Sequence, residues 1–148
     1  GVQKTSRLVG PEIYINRLQH FGVVLSETQT ISVPIKKTAI KLQIPSESIY
    51  IFHKLITFQL RDGIPKRAKD LYYAYYMLRY SPNISAILKQ METYHSKPEW
   101  PLVKKGLHKF FRDADSACPE MVAQEFGPDS LICNLHDHIL DTFRQLMS

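Results

Sequence analysis

Residues 44–78 read IPSESIYIFHKLITFQLRDGIPKRAKDLYYAYYML, and this stretch decides the fold. Ser46 stands where an N-cap belongs, and Glu47 follows in the first turn, where the helix dipole favours an anion. Apolar residues then fall all round the helix predicted over residues 47–60: Ile49, Ile51, Phe52, Leu55, Ile56, Phe58 and Leu60. A helix that is apolar on every side belongs at the centre of a bundle. Asp62-Gly63-Ile64-Pro65 ends it in a turn. A second helix is predicted over residues 66–80, with Leu71, Tyr75 and Leu78 on one face.

Downstream the pattern stays helical. Ser81-Pro82-Asn83 breaks the second helix, and Ile84, Ile87, Leu88 and Met91 mark a third over 83–95. Lys97-Pro98 breaks that one. A fourth helix starts near Pro101 and carries Leu102, Val103, Leu107, Phe110 and Phe111. A short fifth spans 119–126, and Gly127-Pro128-Asp129 introduces a last one with Ile132, Leu135, Ile139, Phe143 and Leu146 at helical spacing.

Upstream of Pro45 the residues come in β-type runs: Val23-Val24-Leu25, Thr30-Ile31-Ser32-Val33, and Ala39-Ile40-Lys41-Leu42-Gln43-Ile44. These predict two or three strands over residues 22–44. The fold class is therefore α+β: a small β element at 1–45 feeding a bundle of five to six helices at 46–148, in one compact unit. Two or three strands form no stable sheet alone, so the β element needs cover from the helices or from another copy of the chain.

At 148 residues the chain is one domain's length, and 44% hydrophobic with 22% charged residues is too apolar for a disordered protein. No run of apolar residues is long enough to cross a membrane, and no targeting leader is visible, which suits a cytoplasmic protein. The chain opens on Gly1 and not Met, as a piece of a longer protein would. The net charge of +5 favours anionic partners, with nucleic acid as one candidate. Cys118 and Cys133 lack CxxC spacing and read as reduced thiols.

Lys54 is the odd residue in the central helix, since lysine is rarely set among so many large apolar side chains. Arg61 follows seven residues on, two turns further along the same stripe. Lys69-Asp70 opens the next helix, and a helical hairpin could bring Asp70 against Arg61 or Lys54. One reading is a buried ion pair tying the hairpin together. The other is a cationic stripe for phosphate, with Asp70 holding the cations in place.

Pro45-Ser46, His53-Lys54-Leu55, Arg61 and Lys69-Asp70-Leu71, in this order and spacing, resemble the region after the catalytic strands in polymerase-β-like nucleotidyltransferases of the bacterial abortive-infection toxin type. The resemblance covers residues 20–80. It implies that Lys54 and Asp70 lie in a nucleotide site, with Asp70 as the catalytic position, and that Arg61 and Lys69 line the same region. It also implies NTP as substrate and Mg²⁺ as cofactor in the intact protein. The family's Gly-Ser and upstream Asp-x-Asp do not occur here, and Tyr73 stands where a second acid often follows the Lys-Asp pair. This chain is thus expected to supply phosphate-binding residues without the metal-binding carboxylates, and to hold no cofactor and transfer no nucleotide alone. The competing expectation is a non-enzymatic helical interaction module with a structural Lys/Arg/Asp network.

Other patterns point to structure. Asp113-Ala114-Asp115 is the one Asp-x-Asp, and it falls at a helix end. His136 and His138 are two apart on a helix, about 200° round, so they cannot share a metal ion. In the tyrosine run 72–76, at least two rings must face the core. An RNA-binding role would require a continuous basic face on the helices after residue 80.

Overall fold

A computed structural model describes residues 6–10, 13–16, 20–36, 38–127 and 134–147. It begins with two short antiparallel strands, β1 (Ser6–Gly10) and β2 (Ile13–Asn16). A one-turn helix follows, α1 (Phe21–Leu25), and then an eight-residue hairpin, β3 (Thr28–Ile35) and β4 (Thr38–Pro45). Six helices complete the described chain: α2 (Glu47–Thr57), α3 (Ile64–Tyr80), α4 (Ile84–Thr93), α5 (Trp100–Phe110), α6 (Ala117–Glu125) and α7 (Leu135–Arg144). The α+β class with a helical bundle is the predicted one, and the strand-to-helix change falls at Pro45.

Two differences stand at the start of the chain. Val23-Val24-Leu25 is helical, not extended. One helical turn lets Val24 bury and Val23 pack beside it, so tertiary contact overrides the β preference of the valines. The β1–β2 pair lies ahead of the predicted strands, where Gly10-Pro11 separates two short branched runs. Ile132 and Cys133 lie outside the described residues.

The core forms around α2. Ser46 caps it, accepting from the Ile49 amide at 3.3 Å. Ile49, Ile51, Phe52, Leu55 and Ile56 are fully buried, as an all-round apolar helix requires. Phe52 packs against Tyr94 and stacks near Trp100. Gln59 ties the end of α2 to α5, donating to the carbonyls of Leu55 at 3.0 Å and Leu102 at 3.1 Å. Gly106 on α5 makes room for that amide, since a Cβ there would overlap it.

The β3–β4 hairpin is anchored at its base and open beyond it. The Ser46 amide donates to the Glu27 carbonyl at 2.9 Å, and the Glu27 carboxylate takes the Tyr94 hydroxyl and Lys97 Nζ, the latter at 3.7 Å. Pairing of Ile31 with Leu42 and Val33 with Ile40 puts the branched residues on one face. Ile35, Ile40 and Leu42 on that face remain about half exposed, at 45–46%. The helices therefore do not cover the outer half of the β element.

Cys118 lies buried at the start of α6. Burial pushes its thiol up to about 12. The unfolded chain loses this proton near pH ~8.5 while the folded chain keeps it, so stability falls as pH rises through that window. The slope approaches ~1.4 kcal/mol per pH unit. Between pH 8.5 and 10 the wild type should therefore lose about 5 °C more in melting temperature than Cys118→Ala, a difference that thermal melts across pH measure directly.

Candidate functional site

The end of α2, the turn after it and the first turns of α3 build one site. Gly63, at φ 86°, gives the turn a backbone that other residues rarely adopt. Arg67 Nε donates to the Arg61 carbonyl at 3.0 Å and fixes the turn to α3. The result is a helical hairpin in which Lys54 and Arg61 both reach Asp70. Lys54 Nζ lies 2.5 Å from Asp70 Oδ1, and Arg61 Nε lies 2.9 Å from Oδ2. The Thr57 hydroxyl donates to the His53 carbonyl at 3.0 Å and sits 3.4 Å from Oδ2.

Exposure separates the members. The Asp70 side chain is 6% exposed, that of Lys54 14% and that of Arg61 35%. The carboxylate is thus the floor, and the cations rise from it. They open into a hollow of about 250 Å³ lined by Lys54, Arg61, Lys66, Lys69, Asp70 and Tyr73. Four cations against one carboxylate leave it strongly positive. Two tyrosines flank Lys54, with its Nζ 5.2 Å from the Tyr50 ring centre and 5.9 Å from that of Tyr73. Lys69 Nζ also lies 5.9 Å from the Tyr73 ring centre.

All four residues singled out from the sequence, Lys54, Arg61, Lys69 and Asp70, therefore meet in one place. Asp62, which could have sealed the cations in, is exposed instead. Lys66 and the ring of Tyr73 complete the lining. Their signal was the 66-69-73 spacing, which puts three residues on one solvent-facing stripe of α3.

The other patterns fall elsewhere. Asp113 lies in the α5–α6 turn, where Arg112 Nε at 2.7 Å and Ser116 Oγ at 2.8 Å hold its carboxyl below the usual range, while Asp115 is exposed. His136 faces Glu120 at 3.0 Å. Tyr75 is buried and Tyr72 half-buried, so the run does pack two rings inward. Among the described residues no group of three or more His, Cys, Asp or Glu could hold a metal ion, and no helix is long and apolar enough to cross a membrane. Asp70, the one carboxylate in the hollow, has both oxygens engaged by cations, which does not suit a Mg²⁺ ligand.

The chain matches no protein-family model, no curated protein and no solved structure.

Proposed function

We propose that the α2–α3 hollow binds the polyphosphate of a nucleotide, as a cytoplasmic nucleotidyltransferase-like protein would use it. The observation that carries this reading is the convergence of Lys54, Arg61, Lys66 and Lys69 around one buried carboxylate in an open hollow. A network built only to tie two helices together needs one cation for Asp70 and no open face. Here two cations share the carboxylate, and two more line the hollow and make no ion pair among the described residues.

Roles follow from position. Arg61 spends Nε on Asp70, and its terminal nitrogens are the donors that would take a second anion. Lys54 is held between two rings and one carboxylate, so its position costs little entropy when a phosphate arrives. Lys66 and Lys69 supply mobile charge at the rim, and Tyr73 offers a ring face for a base. Asp70 is a positioning residue in this reading, because both of its oxygens are engaged.

Isothermal titration with inorganic triphosphate and with ATP, both metal-free, tests the proposal. Lys66→Gln/Lys69→Gln should weaken both ligands by about tenfold or more at low salt, and raised salt should weaken the wild type in the same direction. Wild-type protein that binds neither ligand would leave the helical interaction module as the better reading.

A further inference from the structure

We propose that the solvent face of α5 is a second anionic-partner surface, separate from the α2–α3 hollow, and that its partner is the phosphate backbone of nucleic acid. The helix is divided cleanly. Val103, Gly106 and Leu107 are buried, with Leu102 and Phe110 packed beside them. Lys104, Lys105, His108 and Lys109 are all exposed, and Arg112 continues the row past the helix end. No acid occurs between Glu99 and Asp113.

Solvent faces of helices usually mix charge signs, because like charges one turn apart repel. Two other helices of this bundle mix signs in that way: α4 carries Lys89 with Glu92, and α7 carries Asp137 and Asp141 with Arg144. On α5 the lysines make no ion pair among the described residues, and Lys109 contacts only the Phe110 ring, at 4.8 Å. The repulsion is thus left in place, which an anionic partner would relieve.

The kind of anion follows from shape. A basic amphipathic helix can also enter a membrane surface or a protein groove by its apolar face. Here that face is already spent on the core, with Val103 and Leu107 at 0% exposure, so only the charged side is on offer. Lys104 to Lys109 spans about 7.5 Å along the helix. A strand of duplex nucleic acid presents one phosphate per ~3.4 Å of axis, so about three phosphates lie within reach. A small ligand would need a concave site, and this face is convex helix surface without a described hollow.

Fluorescence anisotropy with a labelled 20-nucleotide RNA, single-stranded and as duplex, tests the inference across a salt series. Three phosphate contacts predict a slope of log K on log salt of about −2 for the single strand and about −3 for the duplex. Lys104→Gln/Lys105→Gln/Lys109→Gln should cut affinity at least about tenfold at low salt and flatten the slope, while Lys→Arg at the same sites keeps both. The three side chains are exposed and unpaired, so the variant should melt like the wild type, and circular dichroism checks this. The hollow variant Lys66→Gln/Lys69→Gln should keep RNA binding even where it has lost triphosphate, which separates this surface from the proposed nucleotide site. Absent RNA binding by the wild type, an unchanged slope in the triple variant, or loss of RNA binding on mutating the hollow would each overturn the inference. So would anionic phosphatidylserine vesicles that compete for the same lysines more strongly than RNA does.

Discussion

Asp70→Asn lowers the melting temperature by about 10 °C. The substitution keeps the shape of the side chain and removes its charge. Lys54, only 14% exposed, and Arg61 then face one another across a neutral amide. Breaking a buried pair by removing one partner costs about 3–5 kcal/mol, because a buried charge is left uncompensated. The lower end applies here, since Arg61 is a third exposed and water takes up part of its charge. For a chain of this size each kcal/mol moves the midpoint by about 3 °C. The companion variant Lys54→Met/Asp70→Leu removes both charges of the buried pair and fills the space with apolar groups. Such exchanges are often neutral or stabilising, so its midpoint should return to within a few degrees of the wild type. Differential scanning calorimetry gives both values. Titration with inorganic triphosphate then separates the two readings of the network. A nucleotide hollow loses its ligand in the double variant despite recovered stability. A purely structural tie recovers stability and shows the same triphosphate behaviour as the wild type.

Much of this arrangement was legible in the sequence because it is local. Ser46, the all-round apolar helix and the Gly63 turn fix a helical hairpin within 35 residues, and hairpin geometry then forces Asp70 toward Lys54 and Arg61. The helix boundaries after residue 80 follow from Pro and Gly breaks in the same way. What escaped is what depends on distant contacts. Val23-Val24-Leu25 has strand-forming residues, yet packing beside α2 makes it one turn of helix. The latch of Glu27 to Tyr94 joins residues 67 apart, and no periodicity announces it. The basic row on α5 was present in the sequence as Lys104, Lys105, His108 and Lys109. Only burial of Val103 and Leu107 shows that the row is a clean outward face and not one side of a free amphipathic helix. Lys66 became a site residue for a similar reason: its stripe acquires meaning once it lines the same hollow as Arg61.

Phe52→Ala should be the most costly change, lowering the midpoint by about 12 °C. Phe52 is fully buried on the helix around which the others pack. Its ring lies 5.1 Å from that of Tyr94 and 6.4 Å from that of Trp100, so its removal empties the meeting point of α2, the turn after α4 and the start of α5. Burial of this kind costs about 3–5 kcal/mol when truncated to alanine, because the transfer energy is lost and the cavity closes only in part. At about 3 °C per kcal/mol the expected fall follows. The effect should also travel to the β element. Tyr94 holds the Glu27 carboxylate, and Glu27 holds the hairpin base through its carbonyl and the Ser46 amide. Loosening Tyr94 should therefore speed hydrogen exchange at Ser46 more than at residues on the α6 side of the bundle. Leu42→Ala, on the open face of the hairpin, is the control and should cost less than ~1 kcal/mol, since an exposed side chain has little burial to lose. If Phe52→Ala melted within a few degrees of Leu42→Ala, α2 would not be the centre of this bundle, and the walls of the adjoining hollow would lose their fixed support.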